Sequence, residues 1–409
     1  MDHLTAAARR NERLFYAFTF LMDFGLWFGI WIKYLTISRG FELRWIFLMD
    51  LPFWLMVATL EAPFGAVADR FGHSRVLALG AGVFSLTILG FGFTTTYLLL
   101  FTDYMLWAVA MACRSGADQA IVYDSLKAAG QAGRFAKVVG RGFSIGLSAG
   151  LAGIVLGGVV AAETSLAFTV KVSLVGPLLA MFVALAMIEP KAAHTERHYL
   201  EGLKQGFAFA WRTPQVRYSV MLGSLMATGG MVPVLLAQPF LIQHDVATGL
   251  FGIYQAPLRI ASVVTALFAY RIAARAGAPK VFASALLLTV LTYVGLAAFD
   301  SLPAFSLFMV PALVQGIVRP TMDTYIHHHT PSERRATVLS VASLAFSVQV
   351  AFIEPAIGFI IDGISLQAAA GVTGVFFLVV APPVLILWRR AYHDFPLVAP
   401  EAVGVAAAG

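Results

Sequence analysis

Apolar residues run through this chain in long unbroken blocks, not in the short alternations of a soluble fold. The blocks fall near 14–35, 43–66, 75–93, 97–121, 138–161 and 165–188, then near 217–241, 250–270, 281–299, 302–326, 336–361 and 366–388. A helix needs about 20 apolar residues to cross the hydrocarbon layer of a bilayer, and most blocks reach that length with few charges. Twelve spanning helices are therefore expected, with short gaps making neighbours antiparallel. The longest polar interval, roughly 189–216, divides them six and six. Within it Leu200, Leu203, Phe207 and Trp211 recur at helical spacing, which predicts an amphipathic segment lying along the membrane surface. The expected organisation is an all-α membrane protein: a six-helix bundle over 1–188, a linker over 189–216, a second bundle over 217–390 and a low-complexity, disordered tail over 391–409.

Composition agrees. The chain is 59% hydrophobic and 12% charged, where soluble domains carry about 25% charged residues; most of it is not expected to face water. A secreted disulfide module is excluded, since Cys113 is the single cysteine. The net charge of +6 raises nucleic-acid binding, but the placement of the charges argues against it. With the N-terminus set inside, 21 of the 28 Lys and Arg fall in inner intervals and 2, Arg39 and Arg44, in outer ones. Lys33, Arg114, Lys171, Arg259 and Arg319 remain within spans. This is the positive-inside pattern, so both termini are expected in the cytoplasm of a cell carrying the protein in its inner membrane. The opening MDHLTAAARRNER reads as a cytoplasmic lead-in, not a cleavable signal.

Between the second and third blocks lies EAPFGAVADRFGHSR. Its Gly65, Asp69, Arg70, Gly72 and Arg75, led by Glu61, resemble the Gly-x-x-x-Asp-Arg-x-Gly-Arg-Lys loop of the major facilitator superfamily. Glycine allows a tight turn there, and Asp with Arg can lock two helices through charge-assisted bonds. His73 stands where a basic Arg or Lys is usual. RSGADQAIVYDSLK (114–127) and RPTMDTYIHHHTPSERRATVLS (319–340) look similar to a bacterial branch of the same superfamily, as does Gln238-Pro239. The resemblance implies two bundles working by alternating access, with the first, fourth, seventh and tenth spans lining a cavity. It also implies an inner gate containing Arg114, Asp118 and Asp124, and a monomer. The fifth span lacks the Gly-Pro pair of the antiporter signature, and no phosphate-binding loop is present.

Ionisable residues inside a membrane are costly and point to function. Asp23 is the sharpest. On a continuous helix it would share a face with Tyr16, Phe20, Trp27, Trp31 and Tyr34, so the carboxylate is expected to take up a proton or meet a cation, with the aromatics holding substrate. Arg114 and Asp118 are an expected intrahelical pair four residues apart. Gln315, Arg319 and Asp323 share a face, as do Gln255 and Arg259, and Arg259 offers either a counter-charge to Asp23 or a contact for an anion. His327, His328 and His329 are adjacent and so point about 100° apart on a helix, a poor metal site. No cofactor and no enzymatic activity are expected. The expected function is secondary transport of a small molecule, as proton-coupled efflux of an apolar or cationic compound. Uptake of a metabolite or organic anion, and a non-transporting receptor or scaffold, are the alternatives.

Overall fold

The structure is a computed structural model and describes residues 2–190, 199–331 and 334–393. Residues 191–198 of the expected linker and most of the expected tail lie outside these residues, as do the side chains of Leu200 and Leu203. Among the described residues there is no strand, and eleven helices are long and apolar enough to cross a membrane.

The chain divides into two compact units, Met1–Arg197 with Val246–Ala256, and His198–Asp245 with Pro257–Gly409. The first contains α1 (Asp2–Asp23), the short α2 (Trp31–Lys33) and α3 (Leu43–Leu48), then α4 (Asp50–Phe71), α5 (His73–Phe93) and α6 (Tyr97–Arg114). It continues through α7 (Ala117–Ala128), α8 (Phe135–Glu163), α9 (Leu166–Val172) and α10 (Val175–Leu185). Its inner core joins α1, α5, α7 and α10 through Phe15, Phe18, Leu77, Ala81, Ile121 and Ala180. The segment Val246–Ala256 closes onto this unit: Gln255 Nε2 donates to the Gly29 carbonyl at 2.9 Å, and Lys33 Nζ to the Val246 carbonyl at 3.3 Å.

The first apolar block is not one helix. It stops at Asp23, turns through 24–30 and resumes at Trp31, ending in a π turn over Tyr34–Ser38. The cause lies in α8. A side-chain carbon on its Gly153 would stand 3.0 Å from the Gly25 backbone, one on Gly157 would overlap the Leu26 carbonyl, and one on Gly146 would overlap the Asp23 carboxylate. A row of glycines thus lets bare backbone lie on α8, where side chains would force a helix to stand off. The fourth block is also interrupted, at Ser115-Gly116, where Gly116 takes φ +74 between α6 and α7.

The second unit contains α11 (Tyr199–Arg212), α12 (Pro214–Gln243), α13 (Phe251–Ala276) from Pro257 onward, α14 (Ala278–Ala298), α15 (Met309–His328), α16 (Arg335–Gly363) and α17 (Leu366–Ala391). Helix α12 is its centre, packing on α14 to α17. Tyr293 donates to the Gly229 carbonyl at 2.9 Å, and Trp388 Nε1 to Ser219 Oγ at 2.9 Å. Helix α11 lies on α16 with Gly206 against Thr337, leaving Phe207 and Trp211 exposed and stacked at 6.0 Å.

Candidate functional site

The two interrupted helices of the first unit end at the same place. Asp23 is the last residue of α1 and Arg114 the last of α6. Arg114 Nη1 donates to Asp23 Oδ1 at 2.7 Å and Nη2 to Oδ2 at 3.1 Å, a bidentate pair of planar groups. Asp118, the second residue of α7, brings Oδ2 to 3.6 Å from Arg114 Nε, while its Oδ1 accepts the Gln119 N–H at 2.7 Å. One guanidinium therefore serves two carboxylates. The side chains of Arg114 and Asp23 are 29% and 31% exposed and Asp118 15%, so water reaches the pair without flooding it. Next to it Ser115 Oγ donates to Glu61 Oε1 at 3.0 Å.

Because α1 ends at Asp23, the helical register that put Trp27, Trp31 and Tyr34 on the Asp23 face is lost. Trp27 turns into the unit and packs edge-on against Phe84, Phe91 and Trp107, 6% exposed. Trp31 is buried, and Tyr34 is fully buried with its hydroxyl 2.9 Å from the Gly92 carbonyl and 2.7 Å from Arg39 Nε. The aromatics that remain beside Asp23 with open faces are Phe20, 43% exposed, and Phe24, stacked on it at 5.5 Å.

Where α4 meets α5, Gly72 makes the turn expected of the loop motif, at φ +100, whereas Gly65 sits inside α4 with open space around it. The partner that binds this turn is Glu189, outside the motif. It accepts the backbone N–H groups of His73 and Ser74 at 3.0 and 2.9 Å and meets His73 Nδ1 at 3.1 Å. Burial works against its charge, but the bond from His73 and the two backbone donors outweigh it and hold the carboxyl below the ordinary Glu range. Asp69 approaches the other ring nitrogen at 3.5 Å, and Asp124 acts on the same ring through its charge. Arg70 stacks near Phe71 and Arg75 reaches the Phe71 carbonyl at 3.4 Å; among the described residues neither forms an ion pair. Buried Asn11 bonds Ser125 Oγ and both the N–H and carbonyl of Ile188, fastening α1 to the chain just before Glu189. Sequence reasoning singled out neither Asn11 nor Glu189.

In the second unit Gln315 Nε2 donates to the Met226 carbonyl, over Gly230, which a side chain would block. A second amide, Gln349, donates to Ser224 Oγ at 2.6 Å and accepts from Thr228 at 3.3 Å; it too was not foreseen. Arg259 is half-buried, and Arg319 is exposed one helical turn before Asp323. His329 packs on the Tyr325 ring at 4.2 Å, beyond the end of α15. Among the described residues no three His, Cys, Asp or Glu are arranged to hold a metal.

Residues 218–403 match the family model described as Major Facilitator Superfamily. No curated protein matches the sequence. Solved structures do match in fold: the nucleoside transporter NupG at TM-score 0.73 and 14% identity, over 94% of this chain and 100% of that one. A bacterial homolog of the human lysosomal transporter Spinster, inward-facing and unoccupied, matches at TM-score 0.73 and 16% identity over 96% and 99%. A POT family transporter in complex with 5-aminolevulinic acid matches at TM-score 0.68 and 12% identity over 94% and 96%. The second half thus carries the family's sequence pattern, nearly the whole length shares the fold of these transporters, and among the described residues eleven helices are long and apolar enough to cross a membrane.

Proposed function

We propose that this protein is a proton-coupled exporter of apolar or cationic small molecules, working by alternating access as a monomer in the cell's inner membrane with both termini in the cytoplasm. The observation that carries the reading is the Asp23–Arg114–Asp118 triad at the ends of two interrupted helices. With both carboxylates ionised the triad has a net charge of −1. One proton on Asp23 brings it to zero, and Arg114 can then turn fully to Asp118. A cation arriving beside Phe20 and Phe24 satisfies the same negative charge, by Coulomb attraction and by the ring faces. Proton and cation thus compete for one charge, which is the requirement for exchange. Release of Asp23 would loosen the end of α1 just where the chain already lacks helical bonds.

The test is reconstitution of the full chain into proteoliposomes with an imposed pH gradient, offering ethidium, benzoate and glucose in separate arms. Ethidium movement against its gradient, with collapse of the pH gradient, is the expected result. Benzoate uptake lost on Arg259→Gln or Arg319→Gln would establish the organic-anion reading instead. No flux in any arm, with the folded state verified, would favour a receptor or scaffold.

A further inference from the structure

We infer that the far end of α13 is a binding site for an anionic membrane phospholipid, with the phosphate held by Arg271 and Arg275 and an acyl chain lying along the helix. A cleft of about 450 Å³ lies there, lined by Thr265, Phe268, Arg271, Ile272 and Arg275. The two arginines are one helical turn apart and both exposed, spaced as two guanidiniums must be to share one phosphate. Neither α13 nor α14 contains an Asp or Glu, Lys280 adds a third cation at the start of α14, and among the described residues neither arginine forms an ion pair. Arg271 Nε donates to the Tyr270 hydroxyl at 2.7 Å, which sets the tilt of its guanidinium.

The apolar half of the site lies on the same face. Ile260, Val264, Leu267 and Phe268 precede the arginines at helical spacing and are 48%, 45%, 68% and 45% exposed. Only 11% of the most apolar window of the Thr248–Ala276 span is buried, against 67% for α12. An exposed apolar stripe that ends in two unneutralised guanidiniums around a cleft has the polarity profile of one lipid molecule, tail to head. The inference rests on the membrane orientation proposed above, which puts this end in the leaflet facing the cytoplasm, where basic pockets select anionic headgroups. It is independent of what is transported, because its test reads binding.

The full chain in neutral detergent is titrated with dioleoylphosphatidylglycerol, dioleoylphosphatidylcholine and glycerol phosphate, and occupancy is read by native mass spectrometry. Two basic contacts are worth roughly 30-fold in affinity, so phosphatidylglycerol is expected to bind about 30-fold more tightly than phosphatidylcholine. Arg271→Gln with Arg275→Gln is expected to reduce that preference below about threefold, while Arg389→Gln with Arg390→Gln retains it. If the first double variant does not fold, Arg275→Gln alone should lower the preference about fivefold. The inference is overturned if the preference is absent in the wild type, if it survives loss of both arginines, or if glycerol phosphate binds as tightly as the lipid, which would mean an anion site without an acyl groove.

Discussion

Asp23→Asn isolates charge from shape. The amide keeps the side-chain volume that α8 accommodates over Gly146 but cannot carry the −1 charge that faces Arg114 across two bonds of 2.7 and 3.1 Å. Removing one partner of a fully buried pair costs about 3–5 kcal/mol. Here both side chains are close to 30% exposed and Asp118 stands 3.6 Å from the same guanidinium, so screening and a waiting partner bring the cost to about 1–2 kcal/mol. The variant should therefore fold. What it should lose is coupling: the triad becomes neutral at every pH, as if Asp23 were permanently protonated. In proteoliposomes, ethidium accumulation driven by a pH gradient is expected to vanish. Passive exchange itself should persist. A variant that still concentrates ethidium with the wild-type pH profile would refute the assignment of the proton to Asp23.

Three further expectations concern the packing within the two units. Gly157→Val should displace the Leu26 backbone and cost more than about 3 kcal/mol, seen as loss of the monodisperse peak in size-exclusion chromatography, whereas Gly65→Ala, with open space around it, should leave the melting temperature within about a degree. Glu189, whose carboxyl is held below its ordinary range, contributes stability that is fully present above the ordinary Glu pKa of about 4.3 and fades as the pH falls through its lowered native value. Glu189→Gln should thus lower the melting temperature at pH 6 and flatten its decline between pH 6 and 3.5; parallel curves would contradict the linkage. Gln349→Leu removes the donor to Ser224 and the acceptor for Thr228; both hydroxyls keep their bonds to the Met221 and Ser224 carbonyls, so the change is expected to cost only about 1 kcal/mol in thermal unfolding.

Much of this was legible in the sequence because bilayer length and charge placement are one-dimensional properties. The apolar blocks gave the helices, the loop motif gave the family resemblance, and Asp23 and Arg114 stood out as charges where charges are expensive. What stayed hidden was conformation and pairing at long range. Residues 24–30, FGLWFGI, are as apolar as the helix they interrupt, so hydropathy runs through the break without a mark; the glycines of α8 that let bare backbone pack there lie more than a hundred residues later. That misplaced Trp27, Trp31 and Tyr34, whose predicted face assumed an unbroken helix. Asn11 and Glu189 escaped for the opposite reason. Both lie in polar stretches that read as solvated, yet Asn11 is 1% exposed and its partners are 114 and 177 residues away.

The triad also dictates which of its members moves. Arg114 is surrounded by negative charge from several directions: two carboxylates, and the carbonyl ends of α1 and α6, which carry the negative poles of their helices. Neutralising Asp23 leaves Asp118 and the helix ends in place, so Arg114 stays held at its own end, turned to Asp118, and the end of α1 is what is released. Neutralising both acids is a different matter, because a cation is then left about 70% buried with only carbonyls to meet it. A double-mutant cycle should accordingly be non-additive. Asp23→Asn and Asp118→Asn are each expected to cost about 1–2 kcal/mol, and the pair to exceed their sum by at least about 1 kcal/mol, measured by denaturant unfolding of purified protein. A sum that is additive within about 0.5 kcal/mol would mean that the two carboxylates do not substitute for one another at Arg114. The exchange of partners would then have to be abandoned as the step that converts a proton on Asp23 into movement of α1.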